Sequence, residues 1–269
     1  MQDDRVIGDS AGEVAVEWAD ETARQARRQA VPSSDTDRDA ATTRKTSVPA
    51  WDLPTRVFHW LLAALIVSAY LTNKFGGVDL YWHRLNGYAI LTLVLFRVFW
   101  GFVGGSTARF SSFVGWPWRA AGYALGLIKG RSKQYLGHNP LGGWVVLLLL
   151  GLLAFQGITG LFSNDDVLAE GPLVKLVSYD TSAYISKLHL RNFNLLLIVI
   201  GLHIAANFLY LWWKKINLIT PMVSGRKAPQ SFADQNEARF GSPLLAVFCL
   251  LLAAACVLGA IKLAGGRLF

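Results

Sequence analysis

Five apolar segments, each close to the length that crosses a lipid bilayer, constrain this chain more than any other feature of its sequence. Polar connections separate them, and they lie at roughly 57–73, 85–103, 142–162, 192–213 and 243–261. A helix needs about 20 apolar residues to span the hydrocarbon core. Inside that core only helices and closed barrels satisfy their backbone hydrogen bonds. The sequence therefore predicts an all-α integral membrane protein, and it excludes a soluble enzyme.

The first 49 residues differ in composition from the rest of the chain. They contain ten of the 18 acidic residues, seven basic residues and few large apolar side chains. Such a segment buries too little apolar surface to offset the entropy cost of folding. We therefore expect residues 1–49 to form a polar, mostly disordered cytoplasmic tail. A membrane domain at 50–225 and a linker with a fifth span at 226–269 would follow it.

The basic residues of the membrane part are unevenly distributed between the connections. Residues 104–141 carry five basic residues and no acidic one, whereas residues 163–187 carry four acidic residues against two lysines. Cytoplasmic loops of membrane proteins are enriched in Lys and Arg. The net charge of +8 therefore indicates topology rather than binding to nucleic acid. We expect a cytoplasmic N-terminus, outer connections at 74–84 and 163–190, and a periplasmic C-terminus. A short interfacial helix is expected at 116–128.

Four histidines lie in the predicted spans or just before them. His203 lies in the fourth span and His189 lies just before its start, fourteen residues away. On one continuous helix this spacing returns them to within about 40° of one face, about 21 Å apart. His83 begins the second span at the side of His189, and His59 begins the first span at the side of His203. The topology therefore predicts two pairs across helices, His83 with His189 and His59 with His203.

Imidazoles from facing helices can hold the iron of a b-type haem in the core of a bundle. The chain offers few other iron ligands, because it lacks a C-x-x-C-H motif and its two methionines are Met1 and Met222. We therefore expect two b haems within a bundle formed by the first four spans. Their iron ligands are predicted to be His59, His83, His189 and His203. A zinc site or a proton relay built from the same histidines is the alternative.

Two arginines lie close to the predicted histidine pairs. Arg97 follows His83 by fourteen residues and so shares its helix face, and Arg56 precedes His59 by about one turn. A buried arginine needs an anion, and a haem propionate offers one with bidentate geometry. Both arginines are therefore candidate cofactor-binding residues. The alternative is that their side chains extend to the lipid headgroups.

His138 belongs to the motif GHNPLGG, just before the third span. Asn139 and Pro140 are explained as the N-cap and the first residue of that helix, which leaves the role of His138 open. It could donate a hydrogen bond to a haem propionate or to a quinone carbonyl, or it could face the headgroups.

Four sequence motifs resemble the bacterial cytochrome b561 family, which includes the b-type cytochrome subunits of nickel–iron hydrogenases. The motifs are WDLPTRVFHW, YWHRLNGYAILTLVLFRVFWGFVGG, GHNPLGG and HLRN…GLHIAANFLY, and the similarity runs from about Trp51 to Gly225. The resemblance implies a four-helix, di-haem b-type cytochrome in which His59, His83, His189 and His203 are the axial ligands. The polar tail and the fifth span depart from the family pattern.

The resemblance also implies a function. We expect a cytochrome of the bacterial inner membrane that transfers electrons across the bilayer between a quinone pool and a periplasmic partner, either a hydrogenase or a cytochrome c. It would be an electron-transfer subunit rather than a stand-alone enzyme, surrounded by membrane lipid. One alternative is a self-contained oxidoreductase in which superoxide or a small oxidant meets the outer haem and quinone meets the protein. The other is a membrane anchor or transporter without haem.

Overall fold

A computed structural model describes Arg24 and residues 47–75, 80–131, 133–167 and 169–268, so the predicted disorder of residues 1–49 falls almost entirely outside the described residues. The elements follow in chain order. They are β1 (Val48–Pro49), α1 (Leu53–Phe75), α2 (Tyr81–Val103), α3 (Phe110–Phe113), α4 (Pro117–Ile128), α5 (Pro140–Phe162), a 3-10 turn (Val174–Leu176), α6 (Tyr179–Trp212), α7 (Ile219–Ser224), β2 (Arg226–Lys227) and α8 (Pro243–Leu263).

Within the described residues, the five helices α1, α2, α5, α6 and α8 are long and apolar enough to cross a membrane. The prediction of a multi-pass, all-α membrane protein is confirmed. Four of the helices begin within about four residues of the predicted starts. Helix α6 is the exception, because it begins at Tyr179 rather than near residue 192, and the connection before it is correspondingly shorter than predicted.

The early start of α6 has a local cause. The side chain of Ser178 accepts a hydrogen bond from the backbone N–H of Thr181, and Asp180 lies in the first turn, where a negative charge is favourable. The polar residues that follow are compatible with a helix but not with lipid. The apolar pattern therefore revealed only the membrane part of a helix of 34 residues, which is about 51 Å long.

Helix α2 lies at the centre of the bundle. It packs against α1, α5 and α8, and α6 packs along α5. In the most apolar stretch of 18 residues in α2, half of the residues are buried, a larger share than in the corresponding stretch of any of the other four spans. The apolar core joins α2 to all four of them through Phe96 and Trp100 of α2, Phe58 of α1, Leu153 of α5, Leu196 of α6 and Ala253 of α8.

A short antiparallel pairing joins the chain before α1 to the chain after α6. Val48 pairs with Lys227 and Pro49 with Arg226. The backbone N–H of Ala50 donates to the carbonyl of Gly225 at 2.9 Å. Gly225 has a φ of 80°, which favours glycine. The last residues of the predicted tail therefore form a strand and hold the start of α1 in place.

Two local predictions from the sequence are confirmed. Helix α4 covers most of the segment expected to form a short helix at 116–128, and its position at a membrane surface stays a prediction. Asn139 caps α5, since its side-chain oxygen accepts the backbone N–H of Gly142 at 2.8 Å and Pro140 follows as the first helical residue.

Candidate cofactor-binding site

Both predicted histidine pairs are brought together by the fold. The rings of His83 on α2 and His189 on α6 have centroids 6.4 Å apart, with planes inclined by 83°. The rings of His59 on α1 and His203 on α6 have centroids 6.5 Å apart, with planes inclined by 51°. We call these the His83/His189 pair and the His59/His203 pair.

The two separations suit a metal ion bound between two imidazoles. A metal–imidazole bond is about 2 Å long, and the ring centroid lies about 1 Å beyond the nitrogen, so two imidazoles that hold one ion between them would have centroids about 6 Å apart. The observed centroid distances of 6.4 and 6.5 Å agree with this value. A planar macrocycle between the rings would supply the remaining iron ligands, so the histidines fit a haem.

Main-chain carbonyls orient both rings of the His83/His189 pair. Nδ1 of His83 lies 2.8 Å from the carbonyl oxygen of Ala69, and Nδ1 of His189 lies 3.0 Å from that of Gln156. A carbonyl oxygen only accepts hydrogen bonds, so Nδ1 is the protonated nitrogen in each ring. The lone pair is then on Nε2, as a metal ligand requires.

A cavity of about 510 Å³ contains the His83/His189 pair. Its volume lies in the range of cofactor sites. Gly87, one turn after His83, lines this cavity, and a Cβ added there would meet no atom within 4 Å. A Cβ on Gly160 would lie 3.1 Å from the ring of His189. The glycines therefore leave room for a flat group in front of α2 and allow α5 to approach His189.

Several residues at this cavity were not singled out from the sequence. Charged side chains of both signs line it, and a guanidinium N–H of Arg84 donates to the carbonyl oxygen of Glu170 at 3.3 Å. Tyr70 of α1 and Phe193 of α6 stack in its wall with centroids 6.0 Å apart. The sequence signal for Arg84 was its place directly after His83. The other charged residues are Asp165, Asp166, Glu170 and Lys187.

Several buried nitrogen atoms in and near the His59/His203 pair have no hydrogen-bond partner. In the described part of the chain they are Nδ1 of His59, Nε of Arg56, Nη1 of Arg97 and Nδ1 of His138. Buried polar atoms in proteins almost always have hydrogen-bond partners. Four such nitrogens near one ring pair are therefore suited to bind a group that accepts hydrogen bonds, such as a carboxylate.

Arg97 is buried rather than extended to the membrane surface. Its side chain is 2% exposed, and Nη2 donates to the carbonyl oxygen of Ala108 at 2.9 Å. The guanidinium carbon lies 5.1 Å from the centre of the Phe110 ring. The connection after α2 therefore folds back over this side chain, and the role of Arg97 in binding a haem stays a prediction.

His138 lies in an aromatic environment close to the same ring pair. Its ring centroid is 4.7 Å from that of Trp51 and 4.6 Å from that of Phe113. Burial lowers the pKa of His138 from 6.5 to about 3, and the positive charges of Arg97 and Lys227 also contribute. His138 is therefore neutral near pH 7, and one of its ring nitrogens carries a proton that it can donate.

The chain is similar to known proteins over the segment that carries all four paired histidines. Residues 50–225 match the family model described as prokaryotic cytochrome b561. Three curated relatives have the name "Probable Ni/Fe-hydrogenase B-type cytochrome subunit". The one from Rhizobium leguminosarum bv. viciae is 29% identical over 141 residues, which cover 43% of this chain and 59% of that protein.

The other two relatives come from Azotobacter. The protein from Azotobacter chroococcum mcd 1 is 29% identical over 154 residues, which cover 48% of this chain and 64% of that protein. The protein from Azotobacter vinelandii is 30% identical over 143 residues, which cover 44% and 59%. The chain thus spans about three-fifths of the length of the curated relatives it matches.

Proposed function

The chain belongs to the prokaryotic cytochrome b561 family, and on that premise we propose that it is a di-haem b-type cytochrome that carries electrons across the bacterial inner membrane. One observation carries the proposal. Two histidine pairs, each from two different helices, have ring centroids 6.4 and 6.5 Å apart, the spacing expected for two imidazoles on one iron. Since His189 and His203 are fourteen residues apart on α6, the two sites lie about 21 Å apart along that helix.

The proposed role of the protein is to hold and orient the haems. His83 and His189 would ligate one iron, and His59 and His203 the other. Bound haem supplies reversible one-electron chemistry. The carbonyls of Ala69 and Gln156 keep the Nε2 lone pairs of His83 and His189 available. Two histidines at each proposed iron would leave no open coordination position for a small oxidant. This favours electron transfer over a self-contained oxidoreductase.

At the His59/His203 pair, we propose that the haem carboxylates accept hydrogen bonds from the unpartnered nitrogens. Arg97 supplies Nη1, Arg56 supplies Nε and a neutral His138 supplies Nδ1. The buried carboxylate of Asp52 interacts electrostatically with Arg97, but Nη1 of Arg97 has no hydrogen-bond partner. A propionate would supply that partner, and an unpaired buried donor is unfavourable. At the His83/His189 pair, Arg84 lines the cavity and is the proposed counterpart.

The direction across the membrane follows from charge. The connection between α2 and α5 carries five basic residues and no acidic one, so this end is proposed to be cytoplasmic together with the N-terminus and the His59/His203 pair. The His83/His189 pair and the C-terminus are then periplasmic. The relatives are named as hydrogenase subunits. We therefore propose a hydrogenase or a c-type cytochrome as the periplasmic partner.

Quinone is the proposed second redox partner, because it is a redox carrier that dissolves in the membrane. A quinone site next to His138 is supported by the buried, unpartnered Nδ1 of that residue, which could donate to a quinone carbonyl. If His138 donates to a quinone, Arg56 and Arg97 alone donate to the haem carboxylates.

The purified protein tests the proposal directly. We expect a pyridine haemochrome assay to give two haems per chain, and visible spectra to show low-spin iron. One haem per chain, or high-spin spectra, would contradict the proposal. A protein without absorbance in the Soret region would instead support the alternative of an anchor or transporter. Reoxidation of the reduced protein by superoxide without a protein partner would support the self-contained oxidoreductase.

A further inference from the structure

Gln156 of α5 contacts both ring nitrogens of His189. Its main-chain carbonyl oxygen lies 3.0 Å from Nδ1, and its side-chain Nε2 lies 3.0 Å from Nε2 of the ring. The first contact supports metal binding by His189, whereas the second involves the nitrogen that a metal would use. The two contacts therefore have opposite consequences for a haem at the His83/His189 pair.

The orientation of the Gln156 amide is determined by Asn192, which is 7% exposed. Nδ2 of Asn192 donates to Oε1 of Gln156 at 2.7 Å and to the carbonyl oxygen of Leu152 at 3.0 Å. Since Oε1 faces a donor, the NH₂ group of Gln156 must face His189. Nδ1 of His189 gives its proton to a carbonyl, so Nε2 carries a lone pair. The amide N–H of Gln156 therefore donates to that lone pair.

An imidazole nitrogen has only one lone pair, so it cannot accept this hydrogen bond and bind iron at the same time. We infer that Gln156 is a positioning residue that competes with iron for Nε2 of His189 and thereby controls how firmly the His83/His189 pair retains its haem. The hydrogen bond from Gln156 and the iron of a bound haem would therefore be alternative partners of Nε2. The lone pair stays on Nε2, and neither a proton nor an electron is transferred. This inference rests on the proposed function.

Among the described residues, the other three proposed ligands lack an equally close competitor. The ring of His83 makes its hydrogen bond at Nδ1, to the carbonyl of Ala69. Nδ2 of Asn207 lies 3.4 Å from Nε2 of His203, but the same group makes the shorter bond, 2.8 Å, to the main-chain oxygen of His203. A contact of 3.4 Å is weak by the geometry of N–H donors. The competition is therefore specific to His189.

The inference is tested by the variant Gln156→Met in the purified holoprotein. Methionine has a similar length and no N–H donor, and the main-chain carbonyl at position 156 remains. Haem loss is followed by transfer to an excess of apomyoglobin, and the site that loses haem is identified by its midpoint potential. We expect loss from the His83/His189 pair to become about threefold to tenfold slower, the equivalent of one neutral hydrogen bond. A residue that only supports packing would give faster loss when replaced.

Two further variants complete the test. Asn192→Leu removes the donor that orients the amide, and it should slow haem loss in the same direction as Gln156→Met. Asn207→Leu is the matched control on the same helix and should leave loss from the His83/His189 pair unchanged. Unchanged or faster loss in Gln156→Met and Asn192→Leu overturns the inference when the wild-type protein contains two haems. A wild-type protein with fewer than two haems overturns the proposed function, and the inference with it.

Discussion

His59 lies near the beginning of α1 and His203 near the end of α6, and their imidazole rings have centroids 6.5 Å apart. His83 on α2 and His189 on α6 repeat this relationship, with ring centroids 6.4 Å apart. Helix α6 contributes one ligand to each pair. The arrangement therefore assigns each proposed haem to two particular helices, and single substitutions can test the assignment.

Replacing either member of a pair should remove the same haem. We expect His59→Ala and His203→Ala to lose one component of a redox titration, and His83→Ala and His189→Ala to lose the other. The reason is that an iron cannot bridge ligands separated by half the membrane, since each iron–nitrogen bond is about 2 Å long. Loss of the same component in His59→Ala and His83→Ala would disprove the pairing.

Arg97→Leu should damage the haem at the His59/His203 pair and leave the other nearly intact. Removing the buried cation leaves a propionate without its partner, at a cost of about 3–5 kcal/mol if the pair is fully desolvated. Haem content and midpoint potentials provide the measurement. The exposed Arg119 supplies a control as Arg119→Leu. An unchanged midpoint potential in Arg97→Leu would show that Arg97 does not bind the haem.

Gly87→Leu should abolish haem binding at the His83/His189 pair without lowering the stability of the protein. The added side chain occupies the open space in front of Gly87, while replacement of glycine within a helix favours the helical state by up to about 1 kcal/mol. Haem content and thermal unfolding in detergent are the two readouts. Gly259→Leu on α8, where an added Cβ also meets no atom within 4 Å, is the matched control. Full haem content in Gly87→Leu would contradict the proposed position of the haem.

Lys227 should make stability depend on pH above neutrality. It donates to the carbonyl oxygens of Tyr135 and Leu136 at 2.9 and 2.7 Å, and burial lowers its pKa from 10.5 to about 8. Between these two values the unfolded chain binds more protons than the folded chain, so the free energy of unfolding rises with pH, by at most about 3 kcal/mol.

The variant Lys227→Met should lack this rise. The free energies of unfolding of the wild type and Lys227→Met are measured by thermal unfolding between pH 8 and pH 10.5. The difference between the two proteins isolates the contribution of Lys227, because the other titrating groups contribute equally to both. Lys133→Met, at an exposed position, should retain the wild-type slope. Equal slopes in the wild type and Lys227→Met would show that Lys227 is not the group responsible.

Much of the fold could be predicted because its determinants are local. Segments of about 20 apolar residues predict membrane helices from length and composition alone. The sequence Asn139-Pro140 marks the start of α5 through a cap that involves neighbouring residues. The spacing of His189 and His203 places them on one face because helix periodicity is constant. The start of α6 was missed because hydropathy reports the lipid-facing part of a helix and not its polar extension.

The sequence by itself determined which segments form long apolar helices and that His189 and His203 share a helix face, since both depend on helix length and periodicity. Only the tertiary structure decided which atoms meet between helices. The carbonyl of Ala69 orients His83, the connection after α2 covers Arg97, and Asn192 turns the amide of Gln156 toward His189. These contacts join residues on different elements. Their geometry depends on how the helices pack, which no local pattern encodes.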